Sequence, residues 1–386
     1  MTLIQAGTVV VDDEVCRPGW VRIDGRQIVA CGTGAPPAPV DVTLPNSIVA
    51  PGFIDMHVHG GGGASFGDAP VAAARFHRRR GTTTTLASLV TSAPADLLAA
   101  VRLLAEATRQ GVVAGIHLEG PWLSVARCGA HDHTQIRPPD PGEIDAVLAA
   151  ADGTIRMVTL APELPGSADA IRRFLDAGVV VAIGHTDATY EQTQRALALG
   201  ATVGTHLFNA MPPMGHREPG PALALLRHPE VTIELIADGV HLHPDVVQAA
   251  LQWAGPNRVA VITDATAAAG CGDGEYLLGA VPVVAAGGVA TVRGTSTIAG
   301  SLATMDQLFR SVAGSAGLGS AVRVTATTPA RALGLARVGA IRSGFDADLV
   351  VLQADFRVQA VMVKGAWQPD LDDDQPAGLV DPPGVC

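Results

Sequence analysis

The sequence predicts an α/β chain: a (β/α)8 TIM-like barrel over residues 50–345, with a small β-sandwich domain built from both chain ends, 1–49 and 346–386. Three observations predict it. Eight apolar, strand-like runs alternate with helix-like stretches through the middle of the chain, and eight is the number that closes a parallel barrel. The two chain ends share a different texture, short apolar runs broken by Gly, Asp and Pro, which is that of a small sheet. Imidazole and carboxylate side chains recur at the C-terminal ends of the middle runs, where the mouth of a barrel lies. A length of 386 residues, 48% hydrophobic and 16% charged, is enough for such a barrel and argues against disorder.

At the N-terminal end, "TLIQAGTVVV", "GWVRID" and "QIVACG" read as short strands before the Pro-rich connection "GAPPAPVDVTLP". "DADLVVLQ" and "VQAVMVKGAWQ" match them at the C-terminal end. The eight barrel strands are placed at 50–59, 82–90, 112–119, 154–161, 178–185, 201–206, 231–238 and 257–264. Between them, "DAPVAAARFHRRR" reads as a helix with Asp68 at its start and Gly81 at its end, and "PADLLAAVRLLAEATRQ" as one ended by Gly111. A doubly wound open sheet is the structural rival, but the "GGGG" at 60–63 lacks the GxGxxG spacing that such a sheet carries after its first strand. The uncharged window 277–292 is too short for a bilayer and is expected to be a strand pair.

The first barrel strand raises the chemical question. "PGFIDMHVHGG" sets Asp55, His57 and His59 two apart, so strand alternation points all three the same way. Further on, strand three closes with Glu119, strand five with His185, strand six with His206 and strand eight with Asp264. Any one of these reads equally well as an incidental buried polar residue. Six together, all of these but Asp55, in a mostly apolar chain, would each need a separate partner. A shared divalent ion supplies one partner for all, and imidazole with carboxylate is the donor set of zinc and related ions. No cysteine falls at a strand end, so a thiolate site is not expected.

The chain holds one lysine, Lys364, among its 26 Lys and Arg residues. No barrel strand therefore has a lysine to bridge two metals as a carbamate, and Glu119 is the best-placed carboxylate for that position. Schiff-base chemistry and a P-loop are excluded on the same ground. Of the remaining histidines, His77 is expected on a solvated helix face and His228 in a loop, while His117 and Asp55 are expected to support the ligands from behind.

Net charge of −11 argues against a nucleic-acid or anionic-membrane surface. The N-terminus lacks a basic signal region. Five scattered cysteines form no CxxC, so a cytoplasmic protein without a disulfide framework is expected.

"PGFIDMHVHG", "HLEGPWL", "GHTDAT", "THLFNAMPPM" with "REPG", "ADGVHLHP" and "TDATAAAG" together resemble the N-acetylglucosamine-6-phosphate deacetylases, a branch of the amidohydrolase superfamily. The resemblance runs over nearly the whole chain. It implies that Glu119, His185 and His206 hold one divalent metal and that His57 and His59 hold a second, with Glu119 bridging. One or two ions per subunit are implied, zinc first and Fe, Co, Mn or Cd as substitutes. It implies Asp264 as the acid/base residue and His131 as hydrogen-bond donor to the acetamide carbonyl. Asn209, the Ala210 backbone, Arg217 and His241 are implied to hold the sugar phosphate, and Ile298, Ala299 and Gly300 to line the site. A homodimer is implied as well. The implied reaction is metal-dependent removal of the acetyl group from a small amino-sugar phosphate. An amidohydrolase acting on another N-acyl substrate is the nearest alternative, and a non-catalytic barrel the alternative of a different class.

Overall fold

The computed structural model describes residues 1–12 and 14–368, so the part of the C-terminal β segment expected beyond 368 lies outside the described residues. Eight parallel strands form in the order of the chain: Phe53–Asp55, Thr82–Leu89, Gly115–Glu119, Ile155–Leu160, Val180–Ile183, Val203–Gly204, Thr232–Leu235 and Val259–Val261. Each pairs with the next. The first and last strands meet through individual bonds just past their ends. The Asp264 N–H donates to the His57 carbonyl (2.9 Å), and the Thr263 N–H to the Asp55 carboxylate (3.3 Å). All eight expected strands are present, and the barrel is as expected.

Its packing follows from alternation along each strand. Leu86, Met157, Ala182, Val203, Ala260 and Ile262 belong to one buried cluster inside the barrel. The opposite faces pack on the helix ring through a larger cluster including Ile116, Val158, Val181 and Leu235. The helix Pro94–Arg109 buries Leu97, Val101 and Leu104 at helical spacing, and Gly111 beyond it takes φ +73°, which only glycine adopts without strain. The helix Pro70–Arg79 differs in its start. No side chain caps it; Asp68 instead accepts from the Ser65 hydroxyl at 2.7 Å.

Strands from both chain ends make one continuous sheet, with Val42–Pro51 joining Thr2–Val11 on one side to Leu349–Leu352 on the other. Its own core holds Ile4, Val9, Val21, Val49, Leu349 and Val351. The segment 277–292 is part of a three-stranded antiparallel sheet, Gly274–Leu278, Val281–Ala286 and Val289–Val292, one strand more than expected. No helix among the described residues is long and apolar enough to cross a membrane.

Candidate active site and metal centre

The first barrel strand ends at Asp55, so alternation does not govern the residues beyond it. Asp55 consequently does not share the orientation expected for it. Its carboxylate accepts from the Thr263 hydroxyl on the eighth strand side and from the His57 N–H at 3.4 Å. Burial is what pushes its carboxyl up, to about 7, against those hydrogen bonds. His57 and His59 do converge, their Nε2 atoms 3.3 Å apart.

Strands five and six show how the fold overrides alternation. Ala182 and Val203 face the barrel interior, which sets residues 184 and 205 inward and His185 and His206 outward. Thr205 follows the rule, its hydroxyl 2.8 Å from that of Thr159. His185 and His206 take φ of +46° and +25°, left-handed conformations that swing both rings to the mouth, and Asp264 takes +47°. Such backbone is costly for non-glycine residues, by about 1–3 kcal/mol each, and persists where the surroundings fix it.

Glu119 lies at the centre. Its Oε1 is 3.1 Å from His185 Nε2, 3.0 Å from His206 Nε2 and 3.4 Å from His57 Nε2. Its Oε2 is 3.2 Å from His59 Nε2 and 3.2 Å from His131 Nε2. Asp264 Oδ1 is 3.1 Å from His59 Nε2 and 3.5 Å from His57 Nε2. His185 and His206 stand 3.1 Å apart through their Nε2 atoms. All of these residues are buried.

The outer nitrogens decide what the inner ones carry. His57 Nδ1 donates to Glu234 Oε2 (3.1 Å), His59 Nδ1 to the Ser88 carbonyl (3.3 Å) and His185 Nδ1 to the Arg127 carbonyl (2.9 Å). A neutral imidazole has one proton, so each of these rings presents a bare lone pair at Nε2 toward carboxylate oxygens. Lone pairs facing lone pairs at about 3 Å repel unless a cation sits among them. No Lys or Arg lines this cavity among the described residues. The chain itself can answer only by protonating its histidines. Burial pulls the His59 ring down, yet hydrogen bonds that the protonated ring donates to Asp264 and Glu119 leave it at about 9, and Glu119 and Glu234 likewise hold His57 well above its usual range. The donor set therefore fits a divalent ion. Two groups of three, His57–His59–Asp264 and Glu119–His131–His185, have ligand atoms close enough for one.

His131 departs from that pattern. Its Nδ1 accepts the Thr91 backbone N–H at 3.2 Å, so its proton is on Nε2 and points into the site. Burial pulls its ring down to about 4, and it is a neutral donor, suited to a carbonyl oxygen and unsuited to ligation.

Behind the ligands, His117 bridges Ser88 Oγ (2.9 Å) and Thr159 Oγ1 (2.9 Å), and its ring stands edge-on to His57 at 4.5 Å. Glu234 is the residue sequence reasoning missed. Fully buried on the seventh strand, it also accepts the His206 N–H at 3.3 Å. An acidic residue inside "VTIEL", where a barrel strand admits only partnered charge, was the available signal. His77 corrects the expectation made for it: it is completely buried, and its Nε2 donates to the Gly60 carbonyl at 2.8 Å. The glycines after His59 leave no room between that helix and the loop, since a Cβ on Gly61 would lie 2.3 Å from Phe76.

A cavity of about 300 Å3 opens over the cluster, lined by His131, Asn209, Ala210, His241, Ile298 and Gly300 beside the residues above. Ala299 is buried behind it in an apolar cluster with Ala130 and Leu278. His241 Nδ1 donates to Asp238 Oδ2 at 2.8 Å, and although burial pulls its ring down, that bond holds it above its ordinary value, leaving Nε2 to donate as well. Arg217 is exposed on the neighbouring loop and does not line the cavity, and Cys128 is a free, half-buried thiol that does not line it either.

Imidazole and carboxylate donors gathered at the mouth of a parallel barrel define a hydrolase that works with a bound divalent ion. The amidohydrolase family model matches residues 48–367. The chain is 34% identical over 380 residues to the N-acetylglucosamine-6-phosphate deacetylase of Bacillus subtilis (strain 168), covering 94% of this chain and 96% of that one. A crystal structure of the N-acetyl-D-glucosamine-6-phosphate deacetylase of Mycobacterium smegmatis superposes with a TM-score of 0.93 at 51% identity, covering 95% of this chain and all of that one. The N-acetylgalactosamine-6-phosphate deacetylase of Escherichia coli O157:H7 is 35% identical over 362 residues, 90% of this chain and 95% of that one. The chain belongs to the amidohydrolase family and, within it, to the N-acetylglucosamine-6-phosphate deacetylases.

Proposed function

We propose that the chain hydrolyses the N-acetyl group of N-acetylglucosamine 6-phosphate, giving glucosamine 6-phosphate and acetate. One observation carries this. Bare Nε2 lone pairs, two carboxylates and a single neutral donor, His131, converge under a cavity of a size for one sugar phosphate. A Mycobacterium smegmatis structure of the same fold and 51% identity has been solved in complex with N-acetyl-D-glucosamine-6-phosphate, which supports the substrate.

His57, His59, Glu119, His185 and His206 would hold the divalent ion or ions. When bound, such an ion polarises a carbonyl and brings the pKa of water toward neutrality. Zinc is favoured by the imidazole–carboxylate set. Two ions are favoured by Glu119, whose two oxygens face different histidines.

The chain's own groups do the rest. Asp264, its carboxylate held low because the His57 and His59 rings outweigh its burial, accepts a proton from the attacking water and returns it to the sugar nitrogen as the C–N bond breaks. His131 Nε2–H donates to the carbonyl oxygen as negative charge builds there. Asn209, the Ala210 N–H, His241 and Arg217 hold the sugar phosphate, a remote anchor whose binding orients the amide. Ile298, Ala299 and Gly300 close one side of the site. The same proposal includes a cytoplasmic homodimer and a division of the chain into a barrel over 50–345 and a smaller unit from the two ends.

The galactosamine relative favours a second reading, the same reaction on the C4 epimer. The test is acetate release from both phosphorylated sugars and from unphosphorylated N-acetylglucosamine, with metal-loaded and chelator-stripped protein. Metal-dependent turnover of the 6-phosphates alone is expected. Equal turnover with and without the phosphate overturns the phosphate anchor, and no turnover of any of them overturns the substrate.

A further inference from the structure

We infer that Val90 and Leu278 form a wall that sets the length of acyl group the site accepts, and that a second cavity behind this wall is where a longer chain would go. The inference rests on the amide-hydrolysis reading above. The methyl of an acetamide is bonded directly to the reacting carbon, so it must lie beside the cluster of His59, Glu119 and Asp264. Sugar hydroxyls and phosphate require the polar side of the cavity, at Asn209 and His241. The large apolar side chains lining the cavity are Val90, Leu278 and Ile298.

Val90 and Leu278, unlike Ile298, are shared with a second cavity of about 490 Å3, and His59 is the third shared residue. This second cavity runs back to Ala100 and Leu103 on the helix Pro94–Arg109 and to Leu277, which is 59% exposed at its outer end. The two spaces are thus neighbours that share Val90, Leu278 and His59 beside the reacting centre.

The wall is braced. Gly279 follows Leu278 at the tip of the antiparallel hairpin with φ +56°, and a Cβ there would lie 2.8 Å from Val90 Cγ2. The hairpin backbone therefore presses directly on Val90. Leu278 belongs to a buried cluster with Ala130, Val283, Ala290 and Ala299, against which Val90 packs, and Ala130 immediately precedes the donor His131. Interiors packed in this way yield little to one extra methylene, and a pocket that must exclude a methylene discriminates by about 10–200-fold.

The test is kcat/KM for N-acetyl-, N-propionyl- and N-butyryl-glucosamine 6-phosphate with the metal-loaded full chain. The wild type is expected to lose at least about tenfold from acetyl to butyryl. Leu278→Ala and, separately, Val90→Ala are expected to raise the butyryl-to-acetyl ratio by about tenfold or more. Adding Ala100→Phe to Leu278→Ala, which refills the space behind the wall, is expected to reverse the gain. A ratio unchanged in whichever wall variant still turns over the acetyl sugar overturns the inference and leaves the function intact. Persistence of the gain after Ala100→Phe overturns the assignment of the second cavity. Failure of the wild type on the acetyl sugar overturns the function itself, and the inference with it.

Discussion

Thr91 gives its backbone N–H to Nδ1 of His131 at 3.2 Å, and this bond separates His131 from His57, His59 and His185 at the barrel mouth. His57, His59 and His185 each face an acceptor at Nδ1 and so turn a lone pair inward. His131 faces a donor and turns a proton inward. Position alone would group it with the ligands, since its Nε2 is as close to Glu119 as theirs.

His131→Ala is accordingly expected to lower kcat by about 10²–10³-fold, the cost of one oxyanion donor, while the bound metal content stays at the wild-type value. Elemental analysis beside steady-state kinetics checks it. A parallel loss of metal would make His131 a ligand.

Asp264→Asn removes the group that takes and returns the proton but keeps its shape. Turnover is expected to fall by about 10²–10⁴-fold with KM little changed. Near-normal kcat in the variant would assign the proton transfer elsewhere.

Glu234→Gln tests the carboxylate behind the ligands. The neutral amide still accepts from His57 Nδ1 but no longer makes that ring more basic. Metal affinity is expected to fall by about 10–100-fold, read as the chelator concentration that strips half the metal. An unchanged stripping curve would reduce Glu234 to a packing residue.

Arg217→Ala is expected to raise KM for the phosphorylated sugar with little change in kcat, because a phosphate anchor acts far from the reacting carbon. Arg217 is exposed and outside the cavity lining, so an unchanged KM would leave His241, Asn209 and the Ala210 N–H to hold the phosphate.

His77 gives a pH dependence of stability. Burial pulls its ring from an ordinary 6.5 down to about 4, only partly offset by the bond to Gly60, and its Nδ1 has no partner. The unfolded chain then binds a proton that the folded chain refuses, so the contribution is complete above pH 6.5 and is lost as pH falls toward 4. It amounts to about 3 kcal/mol. Denaturant melts at pH 7 and pH 4.5 check this: the stability of His77→Phe should change less between them than that of the wild type.

How much of this was written in the residue order can be judged element by element. The eight strands were legible because each is a run of apolar residues between helix signals, and burial on both faces demands such runs. The helix at Pro70–Arg79 was legible but the environment of His77 was not, since burial against the glycine loop depends on what packs over the helix. The ligand histidines were legible as strand-end residues, yet their convergence was not a consequence of alternation. Alternation turns His185 and His206 outward, and only their left-handed backbone returns them. Such conformations are held by the surrounding tertiary contacts and leave no local mark.

By itself, then, the sequence determined the alternating pattern that closes a barrel, the donor types at its mouth and the lack of a lysine that could bridge metals there. Tertiary structure alone decided which nitrogen of each imidazole carries the proton. That choice is made by Glu234, Ser88, Arg127 and Thr91, brought from three separate stretches of chain to the back of four rings. A neutral ring has a single proton, and it goes to whichever nitrogen meets an acceptor.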